Sequence, residues 1–572
     1  MPTNVATPER DLSWHDGAGR ARIDVWTLGT IALAAVIMVP LVSVVVMALS
    51  PSERIWSHLV DTVLWQYVRV TLTLMIGVGI GVTVIGAGTA WLVTMCRFPG
   101  RRIFNWAMLL PLAVPAYVLA FVVTDQLEYA GSVQTALRAL FGWQSRQDYW
   151  FPEVRSLGSA IVVMTLVLYP YVYLLARAAF LEQSVCVIEV SRTLGRGPWR
   201  SFFHVALPLA RPAIVVGVTL ALMETVNDFG TVDFFAVNTF TAGIYDVWLN
   251  MNSRAGAAQL ATVLLLFVLA LIGAERWGRR GQRFHHTTTK YRDLPSYQLR
   301  GGRAALAFLA CLLPLALGFI LPATVLAGYA LDFYEETLSR DFAVHALNSL
   351  TLSTVSAAIA VAAGVFMAYG VRLSGGSMIR SVTRLASVGY AIPGAVLAIG
   401  IVFPLGLFDN AVDGLSRTLF GVPTGLLLSG TIAGLVYGYL ARFLALSYGT
   451  MESSLGKITP SMDGAARTLG HTPGGTLRRV HFPLMRGSLL TAALLVFVDC
   501  MKELPLTLIL RPFNYDTLAT FVYQYASDEL LEESALGALS IVGAGILPVI
   551  MLSVTVARSR PGRVDNDAGI AA

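Results

Sequence analysis

The fold is decided by a stretch that the chain contains twice: EVSRTLGRGPWRSFFHVALPLAR at residues 189–211 and GAARTLGHTPGGTLRRVHFPLMR at residues 464–486. Both copies contain Arg-Thr-Leu-Gly and, further on, a proline and an arginine, all at a constant offset of 275 residues. A repeat at so large an offset indicates two structural units of the same design. The sequence therefore predicts a duplicated fold.

The composition is that of a membrane protein. Of the 572 residues, 55% are hydrophobic and 13% are charged, whereas soluble domains carry roughly 25% charged residues. The mean hydropathy is +0.66. These values exclude a soluble enzyme, a disordered chain and a secreted disulfide scaffold. The four cysteines have no CxxC spacing and indicate neither a disulfide framework nor a metal site.

About twelve apolar runs are long enough to cross a bilayer, which takes about 20 residues. They lie at roughly 27–49, 70–95, 103–124, 158–180, 212–235 and 256–274 in the first half, and at 304–330, 347–371, 386–408, 425–447, 488–510 and 535–557 in the second. We expect helices because a lipid-exposed backbone must satisfy its own hydrogen bonds. Each half has an even number of spans, so the halves share one orientation about an axis along the membrane normal.

The runs also define the predicted domains, which are a tail at 1–26, a first transmembrane domain at 27–275, a linker at 276–303, a second transmembrane domain at 304–557 and a tail at 558–572. Arginines cluster in the tails, in the linker and in the loops that follow the second and fourth runs, while loops on the other side tend to be acidic. Because cytoplasmic loops are enriched in Lys and Arg, we expect both termini and the linker to be cytoplasmic.

The duplicated stretch resembles the EAA loop of bacterial binding-protein-dependent ABC importers. That loop starts Glu-Ala-Ala, has a glycine six residues after the glutamate and ends in Leu-Pro. The first copy starts Glu189-Val190-Ser191, and the second has Gly464 in place of the glutamate, next to Asp463. A short helix that stops at glycine, followed by re-entry after proline, can sit in a groove of a cytoplasmic partner. The resemblance implies ATPase-coupling residues Glu189, Arg192, Gly195 and Pro208 in the first copy and Asp463, Arg467, Gly470 and Pro483 in the second.

The energy source is expected to lie in another subunit, because no P-loop of the form GxxxxGK[ST] occurs in the sequence. The resemblance implies two partners: two copies of a cytoplasmic ABC ATPase that uses ATP and Mg, and a periplasmic substrate-binding protein. It also implies that the present chain is not an enzyme and binds no cofactor itself. It also implies an all-α membrane protein with a MetI-like permease fold in two parallel six-helix repeats. We expect it in the bacterial inner membrane, in contact with lipid and not with nucleic acid.

Two further segments, ETVNDFGT at 224–231 and MKELPLTL at 501–508, resemble the fused ferric iron permease family, and this resemblance extends from about residue 27 to 557. It implies ferric iron as the substrate, moved by alternating access. Permeases for thiamine, polyamine or phosphonate are alternatives within the class, and an ion-coupled secondary transporter is an alternative from another class. No cluster of His and Tyr has ligand spacing, so we expect no high-affinity metal site.

Four carboxylates are predicted inside the fifth and eleventh spans. Glu224 is equivalent to Asp499 and Asp228 to Glu503, at the offset of 275. The i, i+4 spacing puts each pair on one face of a helix, near the middle of the bilayer. A charge there costs about 2.5–3.5 kcal/mol on insertion scales, so the four should line the translocation pathway between the halves. The alternative is a set of interhelical bonds in which Lys502 neutralises Asp499 or Glu503.

Two other features bear on movement and on docking. Pro115 and Pro393 are expected to kink the third and ninth spans. Polar residues at the outer ends of the spans are expected to form a docking surface for the binding protein: Asp233, Asn238, Tyr245 and Asp246 in the first half, and Asp516, Tyr523 and Asp528 in the second.

Overall fold

A computed structural model describes residues 25–50, 55–183, 193, 197–278 and 297–558. Within these ranges the chain is almost entirely helical. The only strands in the described ranges are Cys96–Arg97 and Tyr297–Gln298, which pair in parallel. Because Cys96–Arg97 follows the second membrane helix and Tyr297–Gln298 lies in the predicted linker, this pair brings the two segments to the same side of the helices.

The first half contains five helices of membrane-spanning length and one bent pair. We number them as spans 1 to 6: Val25–Ala48, Leu64–Met95, the bent pair Arg101–Ala113 and Ala116–Phe141, Leu157–Leu181, Trp199–Asn227, and Arg254–Glu275.

The second half contains six helices of membrane-spanning length. They are spans 7 to 12: Gly302–Asp332, Arg340–Ser374, Gly394–Phe420, Ile432–Gly456, Pro473–Met501, and Leu531–Met551.

Shorter helices connect the spans. They are Ile55–Thr62, Ser132–Phe141 at the end of span 3, Gly230–Phe234, Phe240–Tyr245, Tyr334–Thr337, Ser377–Ala386, Pro460–Thr468, Pro505–Leu510 and Leu518–Ser527, with 3₁₀ turns at Leu110–Ala113, Arg146–Asp148 and Ser387–Ala391. Four segments are π-helical: Phe202–Ala206, Asp246–Asn250, Ala316–Ile320 and Leu477–His481.

The duplication is visible in local backbone geometry. The π-helical segments Phe202–Ala206 and Leu477–His481 lie in the two copies of the repeated stretch at the same offset of 275. Each is followed directly by a long helix with proline in its first turn, beginning at Leu207 and Phe482. Proline is tolerated there because its missing amide has no helical acceptor. The prediction of about twelve spans in two repeats is confirmed.

Each half is built around three spans that pack on one another. Spans 2, 4 and 5 form this centre in the first half, and spans 8, 10 and 11 form it in the second. Small residues allow close approach, since Gly86 of span 2 lies against Val172 and Gly364 of span 8 lies against Ser447. Close contact through small residues is typical of helix association in membranes.

The first span of each half packs against the opposite half. Ala34 and Ile37 of span 1 belong to a core cluster with residues of spans 8, 10 and 11. Cys311 and Leu326 of span 7 belong to a cluster with residues of spans 2 to 5. The halves are therefore interlocked rather than laid side by side, which fixes the interface where the candidate site lies.

Candidate functional site

Four interruptions of helical structure meet at the centre of the molecule. Span 3 bends by 91° between its two helices, just before Pro115, and span 9 begins after Pro393, which follows a 3₁₀ turn. The helix of span 5 ends at Asn227, and that of span 11 ends at Met501. The predicted kink at Pro115 is confirmed, whereas Pro393 precedes the first residue of the span 9 helix and does not kink it. Irregular backbone at membrane depth is tolerated where it is buried or lines a cavity.

A cavity of about 80 Å³ lies at this meeting point. Its walls come from both halves, and its polar lining residues are Tyr117, Tyr171, Glu224, Asn227, Asp228, Lys502 and Glu503. Three of the four predicted carboxylates therefore share one cavity. The fourth carboxylate, Asp499, forms an ion pair with Lys502, and Lys502 lines the cavity.

In the first half the carboxylates accept hydrogen bonds from uncharged donors. Glu224 Oε1 accepts from the Tyr390 hydroxyl at 3.0 Å. Asp228 accepts from the Thr231 amide at 2.8 Å and from the Thr231 hydroxyl at 3.0 Å. Among the described residues, no ion pair within 4.0 Å involves either carboxylate. Their negative charges are thus not directly paired.

In the second half each carboxylate is paired with a cation. Asp499 Oδ1 lies 2.9 Å from Lys502 Nζ. Glu503 Oε2 lies 3.3 Å from Arg442 Nε, and these two side chains are only 5% and 3% exposed. Glu503 also accepts a hydrogen bond from the Leu506 amide at 3.1 Å. The expected neutralisation by Lys502 is therefore present at Asp499, while Arg442 serves Glu503.

Arg442 also joins the two halves. Its Nη1 donates to Asn227 Oδ1 at 2.7 Å, and the Gly394 amide donates to the same oxygen at 2.6 Å. A Cβ at position 394 would lie 2.7 Å from both Arg442 Nη1 and Glu503 Oε1, so a larger residue there would displace the ends of both side chains. Asn227 of the first half is thereby held by two groups of the second half.

The prediction that each carboxylate pair lies on one face of a continuous helix is wrong. Asp228 has extended backbone angles just past the end of span 5, and its side chain turns forward to the start of the helix Gly230–Phe234. Glu503 lies in the break before Pro505–Leu510 and binds the amide of Leu506 in the same way. Because a carboxylate that caps a following helix competes with continuation of the previous one, both helices stop here.

Sequence reasoning missed five residues of the site, which are Tyr117, Tyr171, Tyr390, Asn227 and Arg442. Arg442 lies within a predicted span, and an ionisable residue inside a membrane helix is a signal of function or of a buried partner. No sequence signal points to Tyr390 or Asn227, because their roles depend on contact between the halves. Among the described residues, no group of three or more His, Cys, Asp or Glu side chains is arranged to hold a metal ion.

The second copy of the repeated loop forms the helix Pro460–Thr468. Gly470 follows it with a φ of +79°. The Gly470 amide donates to Arg467 O at 3.0 Å and the His471 amide to Ala466 O at 3.0 Å, which is the hydrogen-bond pattern of a Schellman cap. The expected helix stop at this glycine is confirmed.

The residues of this helix divide into two faces. Met462, Arg467 and Leu469 are exposed, whereas Ala466 is buried and Asp463 is half-buried. The exposed face offers apolar and basic side chains outside the predicted spans. Pro483 is exposed in the first turn of the long helix of span 11.

In the first copy, Glu189, Arg192 and Gly195 lie outside the described residues. Pro208 is described and occupies the first turn of the helix Leu207–Asn227, as Pro483 does in the second half.

At the far side of the helices from the repeated loops, three of the expected docking residues are engaged within the chain: Asp233, Tyr245 and Tyr523. The Tyr523 hydroxyl donates to Asp233 Oδ2 at 2.5 Å, which links the two halves. Tyr245 is buried, stacks on Phe229 and donates its hydroxyl to Pro505 O. The expectation that Tyr245 faces a partner is wrong, because it packs in the interface between the halves.

Comparisons with known proteins agree with this architecture. Residues 79–277 match the family described as "Binding-protein-dependent transport system inner membrane component". The Fe(3+)-transport system permease protein FbpB 2 of Haemophilus influenzae is 24% identical over 480 residues, which cover 82% of this chain and 85% of that protein.

Two shorter relatives align with less than half of the chain. The molybdenum transport system permease protein ModB of Escherichia coli is 26% identical over 37% of this chain and 92% of its own length. The sulfate transport system permease protein CysT of Escherichia coli is 29% identical over 44% of this chain and 93% of its own length. Almost the full length of each of these two relatives therefore aligns with a part of this chain about as long as one repeat.

The helices, the duplicated loop and these matches point to one class, the inner-membrane permeases of binding-protein-dependent transport systems. The similarity to FbpB 2 covers 82% of this chain and so includes both repeats, as in a permease that carries two permease domains in one chain. These matches favour an ABC importer over the ion-coupled secondary transporter considered from the sequence.

Proposed function

We propose that the chain is the permease subunit of an importer for ferric iron, delivered by a periplasmic binding protein and moved by alternating access. The proposal includes an iron pathway through the central cavity, past Glu224, Asp228, Asp499 and Glu503. The competing substrates are thiamine, polyamine and phosphonate, together with molybdenum and sulfate, which the names of the shorter relatives give.

The observation that carries the proposal is the charge of the cavity. Asp499 is offset by Lys502 and Glu503 by Arg442, while Glu224 and Asp228 have no cation within ion-pair distance among the described residues. The cavity therefore has an excess of negative charge. Hard oxygen ligands suit a small, highly charged cation, whereas an oxyanion would be repelled. The length of the alignment with the iron permease adds support.

The proposed energy source is a pair of ABC ATPase subunits, one beneath each repeated loop, which bind ATP and Mg while this chain binds no cofactor. The exposed face of Met462, Arg467 and Leu469 supports contact of the second loop with such a subunit. In this proposal the loops, both termini and the linker 276–303 are cytoplasmic, and the transmembrane domains are 27–275 and 304–557.

The test is uptake of labelled ferric iron by cells that express this chain with its ATPase and binding protein. The expected result is iron uptake that an excess of sulfate or molybdate does not reduce. Gly195→Asp with Gly470→Asp provides the negative control, because it alters both loops without changing the cavity. Arg417→Gln is the matched control, since it removes a charge from an exposed ion pair with Asp413.

Two results would overturn the proposal in different ways. Absence of iron uptake in a confirmed complex that moves molybdate, sulfate, thiamine, polyamine or phosphonate would replace the substrate. Iron uptake that persists in the loop variant and stops with an uncoupler would contradict ATP-driven transport.

A further inference from the structure

A cluster of three polar side chains ties the second repeated loop to the membrane helices. Asp463 Oδ2 lies 2.9 Å from Arg372 Nε of span 8. Asp463 Oδ1 lies 2.7 Å from His481 Nε2, at the end of the π-helical segment that leads into the long helix of span 11. The Asp463 and Arg372 side chains are 23% and 16% exposed, and His481 is fully buried. Asp463 therefore points into the protein and not towards the surface that a partner would contact.

Arg372 extends the cluster to a third span. Its Nη1 donates to Leu455 O at 2.5 Å, at the end of span 10, and its Nη2 donates to Ile458 O at 2.8 Å. The planar guanidinium group thus holds three acceptors in one fixed arrangement. The helix Pro460–Thr468 cannot move relative to span 8 without breaking at least one charge-assisted bond.

Tyr369 secures the other side of the loop. Its hydroxyl donates to Pro473 O at 2.7 Å, just beyond the Gly470 turn. Its ring lies edge-on to the His481 ring, with centroids 5.4 Å apart. The loop is therefore attached to span 8 both before and after its glycine.

The sequence of the first half has different residue types at the positions equivalent to Arg372, Asp463 and His481. Gly86 with Val172 and Gly364 with Ser447 are matching contacts, which fixes the offset at 278 for spans 2 and 8 and at 275 for spans 4 and 10. At these offsets Arg372 corresponds to Thr94, Asp463 to Ile188 and His481 to Ala206. None of the three counterparts carries a charge.

We infer that Asp463, Arg372 and His481 form a joint through which movement of the second loop is passed to spans 8, 10 and 11. They are positioning residues for energy coupling, and the two loops differ at these positions because the three counterparts in the first half are uncharged. The inference rests on the proposed function, since it requires an ATPase partner at the loop.

The test uses the purified complex of this chain with its ATPase and binding protein in lipid vesicles. Two rates are measured: ATP hydrolysis with and without iron-loaded binding protein, and iron uptake. For Asp463→Asn and Arg372→Gln we expect an assembled complex that hydrolyses ATP, with uptake per ATP reduced about tenfold, within the range typical of coupling between sites.

Two substitutions at His481 distinguish a role of its hydrogen bond to Asp463 from a role of its side-chain volume. Gln can donate a hydrogen bond to Asp463 from a similar position, whereas Leu cannot. We therefore expect His481→Gln to keep coupling and His481→Leu to lose it. Thr94→Val, at the first-half counterpart of Arg372, is the matched control and should leave uptake per ATP unchanged.

Three results bear on the inference. Wild-type coupling in Asp463→Asn and Arg372→Gln would overturn it. Failure of both variants to assemble with the ATPase would also overturn it, because the cluster would then be needed for folding rather than for coupling. A wild-type complex without ATP-dependent uptake would contradict the proposed function instead.

Discussion

The two halves of the molecule carry equivalent helices, but they treat their central carboxylates differently. In the first half, Glu224 and Asp228 accept hydrogen bonds from hydroxyl and amide groups. In the second half, Asp499 and Glu503 are each paired with a cation. The offset of 275 shows the origin of the difference, since Lys502 corresponds to Asn227 and Arg442 to Val167.

The comparison shows that the two repeats kept a similar backbone while the charged side chains around their carboxylates changed. Both helices end just before the second carboxylate of each pair, and both breaks line the cavity. Its charge is not symmetric, because two substitutions confine the cations to one half. The first half then has the carboxylates without a paired cation, while the second half has both ion pairs, and Arg442 of one pair also donates to Asn227 of the first half.

The largest effect is expected from removing the buried cation. Arg442→Met leaves Glu503 buried without a counter-charge and also removes the bond to Asn227. Loss of one partner of a buried ion pair costs about 3–5 kcal/mol. We expect a clear loss of folded protein and a lower midpoint of thermal unfolding in detergent.

A double variant tests whether the loss of stability comes from the unpaired charge of Glu503. Arg442→Met with Glu503→Gln removes both charges and should recover most of the lost stability, since no unpaired charge stays buried. Arg417→Met breaks an exposed ion pair and is the control, with little expected change. Equal losses in the single and double variants would contradict the pairing.

Transport should depend more on the first-half carboxylates than on Asp499. Glu224→Gln or Asp228→Asn removes a charge that is not directly paired, whereas Asp499→Asn removes one that Lys502 already offsets. We expect iron uptake to fall about tenfold or more for either first-half variant and less for Asp499→Asn, in line with interaction energies of about 1.4 kcal/mol per factor of ten.

The comparison is made at equal protein levels in the membrane. If Glu224→Gln combined with Asp499→Asn left uptake unchanged, the carboxylates would not line the pathway. They would instead serve the interhelical bonds considered from the sequence.

Much of this architecture could be predicted from sequence, because a run of about 20 apolar residues has few stable alternatives in a bilayer. The repeat at 189–211 and 464–486 fixed the duplication. The break at Asp228 could also have been found, since Asp followed by Phe-Gly-Thr is typical of a residue that caps a new helix. In span 11, Pro505 gives the equivalent signal.

The contacts across the halves could not be predicted. Tyr390 with Glu224, and Asn227 with Arg442, are separated by 166 and 215 residues. Their pairing depends on how spans 1 and 7 interlock the halves, and no local pattern encodes that arrangement. The inward orientation of Asp463 was likewise missed, because the resemblance to a coupling loop implied that it faces the partner.

A moderate effect is expected at Gly470, where the backbone is left-handed with a φ of +79°. Gly470→Ala should destabilise the loop by about 1–2 kcal/mol, the cost of this conformation for a residue with a Cβ. Gly464→Ala is the control, because a Cβ meets open space at both positions and only the backbone differs. The effect is measured as the decrease in iron uptake and in ATPase binding of Gly470→Ala relative to Gly464→Ala.

The same substitution at Gly195 extends the comparison to the first copy. If both loops end in the same way, Gly195→Ala and Gly470→Ala should reduce ATPase binding equally. A much smaller effect at Gly195 would show that the loops differ in backbone as well as in their attachment to the spans.

The smallest effect is expected at Arg155, which links the halves near the outer surface. Its guanidinium group lies 2.8 Å from Glu128 of the first half and 2.9 Å from Glu529 of the second. The chemistry resembles that of Arg442 with Glu503, but the Arg155 side chain is 40% exposed. Solvent screening limits such pairs to about 0.2–1 kcal/mol each, so Arg155→Gln should lower the unfolding midpoint only slightly. The small decrease in the unfolding midpoint of Arg155→Gln should disappear in high salt. The decrease caused by Arg442→Met should persist, because water and ions do not reach the buried pair. A loss as large as that of Arg442→Met would mean that the outer contact contributes as much as the buried one to holding the two halves together.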